Sequence, residues 1–181
     1  MSMTKFDKEK LIEVVLYIIN ATKGLDYYHV FKILYFAQQD HLCKWGSRIV
    51  ADEFVAMPYG PVPTQLYSAV CDKDNYAPGL IPLFKDAIEF AGKDAPNTLL
   101  PKRLPNMDYL SRADIESLDK SIADNKGLSF GELVEKSHDS AWEVAPDRGI
   151  ISVGNIAKAG GASDGLVEYI NEQESIQKAL A

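Results

Sequence analysis

The sequence predicts a mainly α fold of the α+β class: a single compact helical domain carrying one or two small β-hairpins. Three observations lead there. Apolar residues recur at helical spacing in segments from Leu11 to Ile170. Gly and Pro crowd into two places, Tyr59-Gly60-Pro61-Val62-Pro63 and the stretch from Pro82 to Pro105. No Pro/Ser linker, low-complexity run or fixed-period repeat divides the 181 residues, a length able to bury a core without disulfides or metals. The expectation is one domain over 1–181, with short C-terminal helices in 152–181 packed on it.

The elements follow in order. A first helix is predicted over Asp7–Thr22, with Leu11, Val14, Val15, Ile18 and Ile19 on one face and Gly24 ending it. Asp26 can cap a second helix. Its residues Val30, Ile33, Leu34 and Ala37 form one apolar stripe and Phe31, Tyr35 and Leu42 another, which predicts a helix covered on most of its circumference. Trp45-Gly46 supplies the stop, and Arg48 to Met57 reads as a hairpin turning near Ala51-Asp52. Pro61 and Pro63 lack amide donors, so Gly60-Pro61 reads as a strand-to-helix joint leading into Thr64–Val70, which should bury Leu66 and Val70.

Cys71 to Gly79 reads as a loop, on Asp72, Asp74, Asn75, Pro78 and Gly79. The prolines of Leu80–Pro105 argue against a long helix, and AIEFAG with NTLLP suits a second hairpin. Ser111 with Asp114 caps a helix through Ile115, Leu118 and Ile122 to near Gly127. Ser129 and Glu132 have capping-box spacing and open a helix that should bury Leu133 and reach toward Trp142. Asp147-Arg148-Gly149 is a turn, Ser152–Lys158 a short helix and Gly160-Gly161 a break. A last helix, capped by Ser163, should bury Leu166, Val167, Ile170 and Ile176.

With 46% hydrophobic and 25% charged residues the composition is that of a soluble globular protein. A net charge of −7 and a pI near 5.0 leave no overall footprint for nucleic-acid phosphates, while an acidic surface would suit a basic partner or serve solubility. No apolar run approaches the ~20 residues needed to cross a bilayer. The polar MSMTKFDKEK start has no cleavage-site pattern, so a cytoplasmic location without membrane partners is expected.

Chemistry-bearing residues are few. Cys43 and Cys71 form no Cys-x-x-Cys pair, and reduced, partly buried thiols are expected. A Cys-His nucleophile could be composed from either thiol with His29, His41 or His138. However, His41 and Cys43, two apart, point to different helix faces, and no nucleophile elbow or Gly-rich oxyanion loop accompanies them. Glu135, His138, Asp139 and Glu143 lie at helical distances without a two-histidine metal motif, and Glu135 with Asp139 reads as a solvated face. His138 and Trp142, four apart, can stack within one helix. No phosphate-binding loop occurs, so neither cofactor, metal nor catalytic residue is expected. The aromatic residues Tyr27, Tyr28, Phe31, Tyr35, Phe36, Trp45, Phe54, Tyr59 and Tyr67 fit either an aromatic core or, in part, an exposed interface.

The stretch LDYYHVFKILYFAQQDHLCKWGSRIVADEFVAMPYGPVPTQLYSAV resembles the opening of the SocA-like antitoxins, the Panacea domain family. It has a K-x-L-Y-F helix, a Gly before the hairpin and G-P-V before a helix, here Lys32, Leu34, Tyr35, Phe36, Gly46, Gly60, Pro61 and Val62. Weaker similarity extends to LSRADIESLDKSI and to SHDSAWEVA, with Ser137, His138 and Trp142, so most of residues 10–170 is covered. The resemblance implies a non-catalytic antitoxin that binds a cognate toxin directly, with protease machinery as a further partner in the SocA case, and a place in phage defence. The partner surface is expected around the first hairpin, at Tyr59, Gly60, Pro61 and Tyr67. Two readings compete. Helix, helix and hairpin can mimic a winged DNA-binding fold, but the candidate reading helix PVPTQLYSAVCDKD holds one Lys and two Asp, which argues against a nucleic-acid partner. A small hydrolase using a thiol or His138 is the other.

Overall fold

Thr4 opens the first helix, α1 (Lys5–Ala21), two residues ahead of the predicted start. Its hydroxyl accepts the Asp7 amide while the Asp7 carboxylate takes the Thr4 amide at 2.9 Å, a reciprocal cap. The computed structural model describes residues 3–73 and 77–180. The predicted face of α1 is buried, and so is Glu13. Its carboxylate receives both Arg103 guanidinium nitrogens, at 2.7 and 2.8 Å, and the Asn106 amide at 2.7 Å.

Around α2 (Tyr27–Trp45) the rest of the chain is packed. Asp26 caps it by accepting the His29 amide, and Gly46, at φ +64°, ends it in the left-handed conformation that glycine reaches without a Cβ penalty. Both predicted stripes are buried, because α1, a hairpin strand and the later helices Arg112–Asn125, Phe130–Ser137 and Val153–Ala159 enclose it. Each fully buried Leu, Ile, Val or Phe contributes about 1.5–3 kcal/mol relative to exposure, so this helix and α1 carry much of the core.

The first hairpin differs from its prediction. It pairs β2 (Phe54–Met57) with β3 (Gly60–Pro63) and turns at Pro58-Tyr59, not at Ala51-Asp52. Two buried side chains take over the residues before it. Gln38 Oε1 accepts the Ile49 and Val50 amides, and Asp52 accepts the Gln65 and Leu66 amides and the Thr64 hydroxyl, all within 3.2 Å. Gln38 thereby takes the amides of residues 49–50 from strand pairing, and Asp52 is turned toward residues 64–66 instead of sitting in a turn. The prolines do sit in a strand. With Met57 opposite Gly60 across a two-residue turn, Pro61 and Pro63 fall at alternate positions whose amides would point away from β2. The other edge of β2 is covered by residues 148–151, as Ala56 N donates to Gly149 O and Ile151 N to Phe54 O.

Pro63 then starts α3 (Thr64–Val70), where Leu66 is buried and Val70 only half-buried. Within the predicted loop that follows, residues 74–76, including Asp74 and Asn75, lie outside the described residues. α4 (Leu80–Ala87) admits Pro82 in its first turn, where no amide partner is needed. The predicted second hairpin is present as β4 (Ile88–Phe90) and β5 (Thr98–Pro101), and β5 also pairs with a strand the sequence did not suggest, β1 (Leu25–Asp26).

After a 3-10 turn at Met107–Tyr109 come α5 (Arg112–Asn125) and α6 (Phe130–Ser137), each opened by the predicted capping box. α6 stops at Ser137 instead of reaching Trp142. Asp139 turns inward and opens a separate short helix, α7 (Ser140–Glu143), by accepting the Ala141 and Trp142 amides. α8 (Val153–Ala159) packs on α2 and α7, and α9 (Asp164–Leu180) packs on α8. Arg48 clasps Glu174 of α9 in a two-point ion pair. Ile170 is buried and Leu166 and Val167 are half-buried, but Ile176, predicted inside, is 45% exposed, since α9 runs past its support. The fold is therefore mainly helical, with small antiparallel sheets.

Candidate partner-binding surface

Lys32 lies on the buried face of α2 beneath the hairpin. Its side chain is 3% exposed, Nζ donates to Pro61 O at 2.8 Å, and burial pulls the ammonium down from its ordinary range to about 7. Gly60, at φ +92°, crosses directly above it: a Cβ there would collide with Ser137 Oγ and stand 2.9 Å from Lys32 Nζ. On the other strand, Trp142 Nε1 donates to Met57 O at 2.9 Å, and His138 stacks on Trp142 with ring centroids 3.7 Å apart and planes 8° from parallel. Thus both sides of the Pro58-Tyr59 turn are held from below. The stack forms across the break between α6 and α7, not within one helix.

Tyr35 completes this platform. Its hydroxyl donates to Asp139 at 2.9 Å, Gln39 Nε2 donates to the same carboxylate at 3.0 Å, and burial with the neighbouring negative charge drives the phenol well above its ordinary range. Asp139 is therefore a buried-side acceptor tying α2 to α7, not part of a solvated face. Its signal in the sequence was an Asp just before Ser-Ala-Trp, a capping position. Phe36 is half-buried under Lys136, whose Nζ stands 4.6 Å from the ring centroid, and Leu34 is fully buried. Val62 is half-buried in β3, and Gly46 lies against Leu166 and Tyr169 of α9. The family-motif residues thus fall into two groups: Lys32, Tyr35, Gly60, Pro61, Ser137, His138 and Trp142 converge below one hairpin, while Gly46 serves the far end of α2.

Above the platform the aromatic residues separate. Phe31, Tyr35 and Phe54 are core; Tyr27, Tyr28 and Tyr67 are half-buried; Tyr59 is 62% exposed. A row of rings runs from Tyr59 to Phe130 at 5.6 Å, Phe130 to Tyr28 at 5.5 Å, Tyr28 to Tyr27 at 4.3 Å, Tyr27 to Phe31 at 5.5 Å and Phe31 to Tyr67 at 6.3 Å. Gly60 and Pro61 are buried and shape the turn that raises Tyr59, whereas Tyr59 and Tyr67 stand at opposite ends of the row. Phe130, 43% exposed, was missed. It occupies the first position of a predicted helix, where an aromatic side chain has no core face to meet. Trp45 is exposed but sits seventeen residues beyond Tyr28, roughly 25 Å along α2.

Cys43, His29 and His41 each have a polar neighbour, whereas His138 Nε2 is buried without a hydrogen-bond partner among the described residues. Cys43 is half-buried, donates to Ala157 O at 3.3 Å and is shifted upward by burial. Cys71 is exposed, contrary to expectation, because α3 ends just before it. His29 lies between Leu128 O at 2.7 Å and Asp26 at 2.6 Å, and His41 between Ser47 O at 2.7 Å and Asp114 at 3.4 Å. Among the described residues no three His, Cys, Asp or Glu side chains form a metal-holding group, and no helix is long and apolar enough to cross a membrane.

No curated protein and no solved structure matches the chain. A family model does: that of the antitoxin SocA-like Panacea domain matches residues 30–143, from the end of the first turn of α2 to the end of α7. The matched span includes Lys32, the whole β2–β3 hairpin and the His138–Trp142 stack, so the chain belongs to the SocA-like antitoxin family and carries its Panacea domain.

Proposed function

We propose that this chain neutralises a toxin by direct, non-catalytic binding in the cytoplasm, through the ring row headed by Tyr59 and Phe130. The family is one of antitoxins, and a toxin partner follows from that in general. The observation that carries the surface is the clamped turn. Lys32 and Trp142 each hold one strand of the hairpin by a backbone carbonyl, and the turn between them presents Tyr59 at 62% exposure. An aromatic side chain held on a rigid support loses little freedom on binding, which is how such residues become anchors of an interface. Masking a toxin of this kind takes a total buried area on the order of 1,600 Å² and no bond chemistry. Residues 152–180 act with the rest as one domain, because α8 rests on α2 and Glu174 is clasped by Arg48.

The toxin is sought in the neighbouring open reading frame, expressed alone and together with this chain. A lethal product rescued by co-expression identifies it. Tyr59→Ala and Phe130→Ala should each weaken rescue, and Tyr67→Ala should do so less because that ring is half-buried. Tyr59→Ala, whose ring is 62% exposed, should leave the melting temperature of the antitoxin nearly unchanged, an effect within ~0.5 kcal/mol. Full rescue by the Tyr59→Ala, Phe130→Ala double variant would move the interface off this hairpin.

A further inference from the structure

Resting on the direct-binding reading above, we propose that the Tyr59–Phe130–Tyr28 ring row is a receptor for a protein segment bearing Lys or Arg side chains. Three stretches build the row: residues 24–31, 49–72 and 127–135. Not one Lys or Arg occurs in any of them, although the chain holds 19, and together they carry Asp26, Asp52, Glu53, Asp72, Glu132 and Glu135. Each stretch begins and ends where a cation appears, at Lys23 and Lys32, Arg48 and Lys73, Lys126 and Lys136. Of the six acids Asp52 is buried and turned toward α3, Asp72 is paired with Lys85 at 2.7 Å and Asp26 lies against His29, while Glu132 and Glu135 are exposed on the helix that carries Phe130. Lys32 is buried beneath the hairpin and adds no charge to the surface.

Electron-rich ring faces beside carboxylates attract cations and repel anions. The last ring of the row already behaves this way, with Lys73 5.2 Å over Tyr67, and so does Phe36 elsewhere on α2, with Lys136 4.6 Å over it. Among the described residues no lysine or arginine covers Tyr59, Tyr28 or Phe130, so the central faces are left to a partner's cations. A row of aromatic rings is also a platform on which nucleobases stack, but such platforms lie in basic grooves that follow the phosphates. Here the stretches that carry the rings hold no Lys or Arg and Glu132 and Glu135 are exposed beside Phe130, which disfavours that ligand and leaves the basic peptide segment. Arginine is the better fit, since its planar group stacks on a ring while its edge reaches a carboxylate.

The test uses the full chain and three synthetic amphipathic peptides with identical apolar positions, their polar positions all Arg, all Gln or all Glu. The Arg peptide should bind at least about tenfold more tightly than the Gln peptide, the size of one or two cation–ring contacts, and the Glu peptide should not bind measurably. Phe130→Ala and Tyr59→Ser keep the net charge of −7 and should abolish the Arg preference; circular dichroism checks that each is folded, and either alone suffices. Equal Arg binding by wild type and both ring variants would overturn the proposal, since attraction would then come from overall charge. So would equal binding of the Arg and Gln peptides. The toxin-rescue assay separates the two readings. Ring variants that lose rescue while wild type shows no Arg preference keep the binding surface and sink its cation chemistry. Variants that lose the Arg preference yet rescue fully keep the cation receptor and sink its assignment to the toxin.

Discussion

Lys32 Nζ donates to the Pro61 carbonyl across 2.8 Å, and through that contact the second turn of α2 holds strand β3 of the hairpin. Among the described residues no carboxylate pairs with this lysine, and an ionised amine buried without a counter-charge is costly. The cost appears as a folded-state pKa lowered to about 7. From about pH 7 up to the ordinary 10.5 the unfolded chain therefore binds more protons at Lys32 than the folded chain does, so this group makes stability rise with pH across that window. Below it both forms are protonated, and the dependence vanishes. Lys32→Met, which fills similar space without an amine, should flatten the rise. Urea midpoints across the window check this; parallel pH profiles for wild type and variant would refute it.

Gly60→Ala should destabilise the fold through two separate terms. The residue sits at φ +92°, where a side chain is strained, and its Cβ would strike Ser137 and crowd Lys32. Gly92 has a similar φ of +99° but open space around it, so Gly92→Ala isolates the conformational term. The Gly92 change should cost about 1 kcal/mol and the Gly60 change more than about 2–3 kcal/mol. Equal shifts in thermal midpoint would show that the collision is relieved at no cost.

Asp139→Ala removes the acceptor shared by Tyr35, Gln39 and the first amides of α7. Leaving the buried Tyr35 hydroxyl unpaired costs about 1–3 kcal/mol, and the lost cap a further ~1 kcal/mol. A double-mutant cycle of Tyr35→Phe with Asp139→Asn should show coupling well outside additivity. Strictly additive losses in denaturant unfolding would mean that the hydrogen bond contributes nothing.

Arg103→Ala leaves the Glu13 carboxylate buried with only the Asn106 amide as a donor. Because the arginine is itself 42% exposed, solvent screens the pair, and the expected loss is about 1–2 kcal/mol, less than for a fully buried ion pair. Glu13→Gln together with Arg103→Ala should recover part of it. A double variant no more stable than Arg103→Ala alone would locate the cost elsewhere.

Periodicity and capping chemistry were enough to read most of the helices and the two capping boxes at Ser111–Asp114 and Ser129–Glu132, because those signals lie within one turn of the chain; α4, in the proline-rich stretch, and the separate α7 were not read. The family motif was readable for the same reason, as spacing along one helix and one turn. The hairpin was misplaced because its register depends on side chains distant in sequence. Gln38 and Asp52 take the amides of residues 49–50 and 65–66, pairing falls at Phe54–Met57, and Pro61 and Pro63 occupy positions whose amides would face away from β2. The break at His138 was hidden in the same way, since Asp139 is drawn inward by Tyr35, a hundred residues earlier.

Local composition thus determined that this chain is mainly helical, acidic and rich in aromatic residues near one Gly-Pro turn. Which aromatics face solvent was decided only when α2, the hairpin and α6 came together. Tyr27, Tyr28, Phe31 and Tyr67 have similar chemistry and spacing, but their exposure is a property of what packs beside them. The same holds for Lys32: nothing in K-x-L-Y-F tells a solvated lysine from a buried one, because desolvation is set by the whole enclosing shell and not by the residues next to it.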